Sequence, residues 1–297
     1  MPCGARSARA ARRRRHHLRA ALLSRAVALA VLLAFAPASG TRAEWAAWAT
    51  VAKPTAGPAR VFGRTGLGCI AGAVALPPDG PGWQAVRLSR NRNWGHPMLV
   101  GTLRDLAARA KAQGFPALWI GDLGQPRGGP MPYGHSSHQV GLDADVWLEL
   151  SPKPSLTVAA REEVVVPSLV LPDESDVAPA RWTPRHAALI RLAAELPGVD
   201  RIFVHHAIKR QLCRTDAGAA WLRHVRPWRG HDSHMHIRLR CPTDQPDCHD
   251  QPPPPAGDGC DSSLDWWLTA EARHPAQRAP GPPPPLPVAC RTVLEAR

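Results

Sequence analysis

Residues 134–150 read GHSSHQVGLDADVWLEL, in which two histidines precede a run that alternates between apolar and polar side chains. Alternation with a period of two predicts a half-buried β-strand over residues 141–150. The apolar face of this strand carries Leu142, Ala144, Val146 and Leu148. The opposite face carries Asp143, Asp145 and Trp147. The strand therefore presents two carboxylates on a polar working face.

A second alternating run lies at His234–Arg240, where His234 and His236 share one face. Imidazole and carboxylate are both zinc ligands, and a catalytic zinc usually has three protein ligands. A single histidine is more often a packing or surface residue, but two such clusters on apolar strands favour a metal site. We expect it to combine histidine and aspartate of the first run with histidine of the second. Because Asp143 and Asp145 share a face, the spacing leaves open which of them binds.

Other parts of the chain have simpler patterns. Hydrophobic periodicity predicts helices over Met98–Gln113 and Pro184–Leu196 and short strands over Ala117–Ile120 and Arg201–Val204. The Gly- and Pro-rich residues 121–134 predict a loop that delivers the first histidines to a cleft. Residues 151–181 contain several prolines and no steady period. They are predicted to form an irregular excursion.

The first 43 residues have the layout of an export signal. They contain nine arginines and no acidic residue, and eight of the arginines precede an apolar run from Ala26 to Ala36. This run is too short to span a bilayer, which takes about 20 apolar residues. We expect residues 1–43 to contain an export signal that is removed by a cut after Ala43, Ala38 or Gly40, which leaves a mature chain without a membrane span.

Net charge and cysteine content narrow the function classes. The formal charge of +13 suggests a nucleic-acid-binding protein. Without the nine arginines of the leader the net charge is about +4, so this function class loses its main support. Six cysteines follow the leader, an even number compatible with three disulfides in an oxidising compartment. They allow 15 pairings, and the absence of any C-x-x-C pair argues against a cysteine zinc site.

Together the two histidine runs resemble those of the penicillin-insensitive murein endopeptidases, within the wider family of lysostaphin-type, D-alanyl-D-alanine and sonic-hedgehog-like zinc proteins. Six further segments resemble that family in the same order: Asn93–Pro97, Arg201–Val204, Ala207–Lys209, Val225–Trp228, Arg238–Pro242 and Gly257–Cys260. The resemblance extends from about Cys69 to Cys290, nearly the whole mature chain.

The resemblance implies a fold and a domain plan. It implies an α+β fold in which a small antiparallel sheet with flanking helices carries a zinc site and is stapled by disulfides. We expect one metallopeptidase domain over residues 69–290, preceded by a segment at 44–68 and followed by a tail at 291–297. The implied disulfide pairs are Cys69 with Cys290, Cys213 with Cys260, and Cys241 with Cys248.

The resemblance also implies a site and an activity. It implies that one Zn²⁺ per chain is held by His138, Asp145 and His236, with His234, His231 and His135 as further active-site residues. The implied enzyme is a periplasmic zinc metalloendopeptidase that hydrolyses D-alanyl-meso-diaminopimelyl cross-links of peptidoglycan. The alternative is a non-catalytic, zinc-stabilised module that binds cell-wall peptides, since a fold does not fix a function.

Overall fold

The computed structural model describes residues 42–273 and 284–297. The predicted export signal at 1–43 lies outside these residues, apart from its last two positions. Within the described ranges, no helix combines the length and the apolar composition needed to cross a bilayer.

The strands of the described residues build one large sheet and two small ones. They are β1 (Arg60–Arg64), β2 (Leu67–Ala71), β3 (Val74–Ala75), β4 (Asp79–Gly80), β5 (Trp83–Ala85), β6 (Trp94–Gly95), β7 (Leu118–Ile120), β8 (Asp143–Trp147), β9 (Val199–Val204), β10 (Val225–Pro227) and β11 (His234–Leu239). The seven-stranded sheet has the order β10-β9-β11-β8-β7-β5-β4, while β1 pairs with β2 and β3 with β6. The two strands that carry the histidine and aspartate runs, β8 and β11, are therefore neighbours.

Helices accompany the sheet. They are α1 (Arg42–Ala49), α2 (Pro97–Ala112), α3 (Pro184–Ala194), α4 (His206–Asp216), α5 (Ser262–Asp265), α6 (Ala270–Arg273) and α7 (Ala289–Glu295). The predicted helices are confirmed as α2 and α3, within two residues at each end. Both begin with proline, whose missing N–H costs nothing in the first turn. In α2 the spacing of Leu99, Leu103 and Leu106 forms a buried face that joins the main core.

The large sheet is mixed, so the expectation of a small antiparallel sheet is wrong. Strands β8, β9 and β11 pair in antiparallel fashion, but β5 runs parallel to β7 and β9 runs parallel to β10. A parallel pair requires a crossover connection, and here each crossover contains a helix, α2 in the first case and α4 in the second. Alternation within one strand carries no information about the direction of its neighbour.

Three disulfides involve the irregular C-terminal residues, and two of them attach these residues to earlier elements of the fold. They join Cys69 to Cys290, Cys213 to Cys260, and Cys241 to Cys248, the pairs that the resemblance implies. The first links β2 to α7, which are 221 residues apart in the chain, and the second links α4 to the segment before α5. Closing such long loops restricts the unfolded chain and so stabilises the fold.

The excursion at residues 151–181 contains turns and one isolated bridge, between Val170 and Val177, as its lack of period predicts. It packs beside the loop that leads into β11. The Leu169 N–H donates to the carbonyl of Asp232 at 2.8 Å, and the Leu148 N–H donates to the carbonyl of Ser233 at 2.9 Å. Leu169 of the excursion and Leu148, just after β8, therefore hold Asp232 and Ser233 in place.

Candidate metal centre and substrate cleft

The register between β8 and β11 brings the polar residues of the two strands together. The facing pairs are Asp143 with Arg238, Asp145 with His236, and Trp147 with His234. Directly opposite residues on one face of a sheet have neighbouring side chains. The polar face predicted from alternation thus becomes a continuous row across two strands.

This polar face lies deeper than predicted. The side chain of Asp143 is fully buried and Asp145 is 5% exposed, so the expectation of a half-buried β8 is wrong. The loop that carries His138 covers the face, since the backbone N–H of His138 donates to Asp143 Oδ2 at 2.9 Å. His138 adopts a left-handed backbone conformation, with φ at 65°. Non-glycine residues are strained there, and such strain concentrates at functional sites.

Three side-chain atoms converge above the sheet and form what we call the His-Asp-His triangle. His138 Nε2 lies 3.2 Å from His236 Nδ1, and each nitrogen lies 3.4 Å from Asp145 Oδ1. Zinc ligands at about 2.0–2.1 Å in a tetrahedron are roughly 3.3 Å apart. Asp145 Oδ1 is buried and makes no hydrogen bond in the described part of the chain. These residues therefore fit a zinc ion in spacing, donor type and unused bonding capacity.

The outer nitrogens of the two histidines have oxygen neighbours. His138 Nδ1 lies 2.5 Å from the carbonyl of Leu123, so it carries the ring proton and leaves Nε2 free for the triangle. His236 Nε2 lies 3.2 Å from Asp143 Oδ1. A carboxylate or carbonyl behind a metal-binding imidazole fixes its tautomer and orientation.

Asp143 is a supporting carboxylate because its oxygens already have partners. Arg238 donates to it through Nε at 2.7 Å and Nη2 at 3.1 Å. Burial would raise the pKa of Asp143, but the charges of Arg238 and His236 hold it well below its ordinary value. Of the two aspartates that the spacing left open, Asp145 is therefore the one whose oxygen faces the two histidine nitrogens.

His135 lies beside the triangle and is held by Asp122. Asp122 Oδ2 accepts hydrogen bonds from Arg90 and Arg92 at 3.1 and 3.0 Å and lies 3.0 Å from His135 Nε2. Burial would raise the pKa of Asp122, but these partners lower it to about 2. His135 groups closely with His138 and Asp145 as a possible ligand. Its Nε2 is engaged by Asp122, however, which makes it less available to a metal than His236 Nδ1.

His234 and His231 stand on the other side of the triangle. His234 Nε2 lies 3.8 Å from Asp145 Oδ1, and its ring centroid is 4.9 Å from that of His231. His231 Nδ1 bonds the carbonyl of Arg229 at 2.6 Å. Burial lowers the pKa of His234, and burial together with the neighbouring histidines lowers that of His231 to about 3. Both rings are therefore neutral at neutral pH.

These side chains open onto one cleft of about 460 Å³. All six predicted site residues lie at it or in the triangle beneath it. The cleft is also lined by aromatic and basic side chains: Phe203, Trp228, Arg201, Arg229 and Arg238. A cleft with convergent polar groups at its floor is the usual form of an enzyme site.

Several supporting residues were not predicted. Asp122 falls in a loop without periodicity, and Arg90 and Arg92 lie in a basic stretch of sequence with no predicted role, although Arg92 is 4% exposed and paired. Arg238 could have been found, because it continues the polar face of β11 two residues beyond His236. The contact between Asp122 and His135 could not have been predicted, because the two residues are 13 positions apart in an irregular part of the chain.

A second cluster, Glu174, His205 and His206, also groups possible metal ligands. His205 Nδ1 accepts the Ala207 N–H at 3.2 Å, so the proton of the neutral ring is on Nε2, which faces Glu174 Oε2 at 3.7 Å. His206 Nε2 bonds the carbonyl of Glu174 at 3.2 Å. With both Nε2 atoms used in this way, the cluster joins the excursion to the start of α4.

Comparison with known proteins gives one family. The sequence profile of the family described as penicillin-insensitive murein endopeptidase matches residues 61–295. A Klebsiella pneumoniae protein of that name is 43% identical over 268 residues, which are 89% of this chain and 96% of the relative. A Haemophilus influenzae protein of that name is 42% identical over 256 residues, 84% of this chain and 88% of the relative. The chain therefore belongs to the penicillin-insensitive murein endopeptidase family.

Proposed function

We propose that the chain is a zinc-dependent endopeptidase that hydrolyses D-alanyl-meso-diaminopimelyl cross-links in peptidoglycan. The family membership supports the substrate class, since the relatives are named murein endopeptidases. The observation that carries the metal dependence is the His-Asp-His triangle, with its edges of 3.2–3.4 Å. One zinc ion per chain would be held by His138, Asp145 and His236.

A zinc ion at this position supplies a Lewis acid that polarises a carbonyl oxygen and lowers the pKa of water. Neighbouring groups set the protonation states of the proposed ligands. His138 presents a lone pair because the carbonyl of Leu123 holds its proton on the opposite nitrogen. Asp145 is ionised, since His234 and His138 lower its pKa despite its burial.

His234 is the proposed proton carrier. Its ring is neutral because burial lowers its pKa, so it can accept a proton from an attacking water and return it to the leaving amine. The rings of Trp147 and His231 both pack against this ring, with centroids 5.3 and 4.9 Å from its centre. These contacts limit its rotation. His231 and His135 line the cleft, where the nitrogens not used by Arg229 and Asp122 can accept hydrogen bonds from N–H groups of the substrate.

The basic lining fits the chemistry of stem peptides, which carry several carboxylates. Arg201 and Arg229 border the cleft, and guanidinium groups form charge-assisted hydrogen bonds with carboxylates. A periplasmic location, with export by residues 1–43, would give the enzyme access to this substrate. The three disulfides agree with an oxidising compartment.

The test is incubation of the mature chain with purified cross-linked muropeptide dimers, with and without a chelator, and with products separated by chromatography and mass. We expect dimers to be converted to monomers, conversion to stop with chelator, and zinc to restore it. Full activity after complete removal of metal would contradict the zinc dependence. Stoichiometric metal binding without any conversion would favour the non-catalytic cell-wall-binding module.

A further inference from the structure

Two tryptophans near the cleft are unusually exposed. The chain has eleven tryptophans, and Trp228 and Trp266 retain 51% and 46% of their accessible surface while most of the others pack into the protein. Exposed aromatic groups that cluster beside a cleft often mark a binding surface, because leaving such surface in water is unfavourable. Trp267, which is partly buried, lies between them.

These residues continue an aromatic row that starts at the His-Asp-His triangle. The ring of Phe203 lies 5.3 Å from that of His236, and Trp228 lies 5.6 Å from Phe203. Trp267 follows at 5.7 Å from Trp228, and Trp266 at 5.1 Å from Trp267. We call Trp228, Trp266 and Trp267 the tryptophan platform. It leads from the floor of the cleft to the surface without a break.

The platform is preformed. The backbone N–H of Trp228 donates to the carbonyl of Val204 at 2.8 Å, which fixes it to the end of β9. Trp266 and Trp267 lie in a short 3-10 helix directly after α5, and the Cys213–Cys260 disulfide holds the start of that segment to α4. The guanidinium of Arg229 lies 5.8 Å from the centre of the Trp267 ring. A surface fixed in this way loses little conformational entropy on binding.

We propose that the tryptophan platform binds the glycan strand of peptidoglycan by stacking sugar rings on Trp228 and Trp266. This inference rests on the proposed function, because it names a second part of the same substrate. A stem peptide that enters the cleft is attached to a sugar of its own strand. The sugars therefore lie beside the cleft, where the platform is.

The chemistry of the polymer favours sugars over peptide as the partner of these indoles. Stem peptides offer methyl groups and carboxylates, and carboxylates suit the arginines of the cleft. A pyranose ring offers a broad face of C–H groups with hydroxyl and amide groups at its edge. An indole has the matching form, an apolar face with one polar edge, which is why tryptophan suits surfaces that are partly wet.

Binding can be measured without catalysis. The probe is soluble glycan strands from which the peptides have been removed, titrated into the zinc-loaded mature chain. We expect Trp266→Ala to weaken binding roughly three- to tenfold, the effect of losing one aromatic contact, and Trp266→Tyr to retain most of it. Val165→Ala, which removes exposed apolar surface in the excursion, serves as the control. Equal binding by wild type and Trp266→Ala would overturn the proposal.

Catalysis gives a second measurement that separates glycan from peptide recognition. The ratio of kcat/KM on intact sacculi to kcat/KM on sugar-free peptide dimers should fall roughly three- to tenfold in Trp266→Ala, through KM. An unchanged ratio, with both rates lowered together, would show that the platform serves the peptide or the fold and would overturn the proposal. If wild type cleaves neither substrate, the proposed function fails, and the titration with glycan strands still decides the fate of the platform.

Discussion

Among the described residues, two clusters each bring a pair of buried histidines close to an acidic residue, and they use their nitrogen atoms in opposite ways. In the His-Asp-His triangle, His138 Nε2 and His236 Nδ1 both point at Asp145 Oδ1. In the second cluster, the Nε2 atoms of His205 and His206 both point at oxygens of Glu174. The two sets contain the same kinds of ligand.

What separates them is the hydrogen bond made by the other nitrogen of one ring in each cluster, His138 in the first and His205 in the second. In the triangle the carbonyl of Leu123 holds the proton of His138 on its outer side, which leaves a lone pair inside. In the second cluster the Ala207 N–H takes the lone pair of His205, which leaves a proton inside. A metal needs lone pairs, so ligand type and proximity alone do not define a metal site.

The largest expected effect tests this distinction directly. His138→Ala removes one corner of the triangle, and we expect zinc content to fall from about one per chain to near zero. Turnover should fall at least roughly a thousandfold. His206→Gln in the second cluster is the matched variant and should retain its zinc and its turnover. The measurement is elemental analysis of dialysed protein alongside the dimer assay. Loss of one zinc from His206→Gln would show that the second cluster binds a metal and would contradict this distinction.

A second variant tests whether His234 belongs to the metal ligands of the triangle. His234 lies 3.8 Å from Asp145 Oδ1 but is proposed to move protons, not to bind zinc. We expect His234→Ala to keep its zinc while kcat falls about 10²–10⁴-fold, the usual contribution of a general acid or base. Zinc content and turnover are measured on the same preparation. If zinc content and turnover fall together, His234 is a metal ligand in addition to the three residues of the triangle.

These contrasts show which features of the fold and of the site could be predicted from the sequence. Alternation placed Asp145 and His236 on polar faces, and helical periodicity placed α2 and α3, because both patterns are local. Local patterns cannot give the pairing of strands. The parallel pairs of the sheet join residues 35 and 23 positions apart in the chain. Which of Asp143 and Asp145 faces the triangle depends on contacts with β11, more than 90 positions along the chain.

The same limit applies to the two histidine clusters. Nothing in the run His205-His206 distinguishes it from His234-Met-His236 in ligand type. The difference is made by Leu123, Ala207 and Glu174, whose backbone or side-chain groups reach the rings only after folding. The proposed assignment of ligands therefore comes from the family resemblance and not from the spacing.

A smaller effect concerns the residue behind the triangle. Asp143 faces His236 Nε2 at 3.2 Å and is bonded by Arg238. Asp143→Asn keeps the shape but removes the charge, and we expect zinc affinity to fall about 10- to 100-fold. Competition with a chelator of known affinity measures it. Asp176→Asn, which changes a carboxylate paired with Arg214 far along the chain, is the control.

The outcome for Asp143 also tests the choice of ligand. If zinc is lost entirely from Asp143→Asn and only weakened in Asp145→Asn, the two aspartates have been assigned in the wrong order. Near-UV circular dichroism should accompany both, because breaking a buried ion pair costs about 3–5 kcal/mol and could unfold the variant.

The smallest effect concerns the second cluster and depends on pH. Burial and the neighbouring His205 lower the pKa of His206 to about 4, below the ordinary value of 6.5. The unfolded chain therefore takes up a proton near pH 6.5 that the folded chain refuses until about pH 4. Stability from this group is present above pH 6.5 and is lost as pH falls through that window, by at most about 1.4 kcal/mol per pH unit. In His206→Gln the free energy of unfolding from urea titrations should fall less steeply between pH 6.5 and 4. If the free energy of unfolding of variant and wild type falls equally with pH, His206 is protonated in the folded state. The contrast between the second cluster and the His-Asp-His triangle would then fail at that residue.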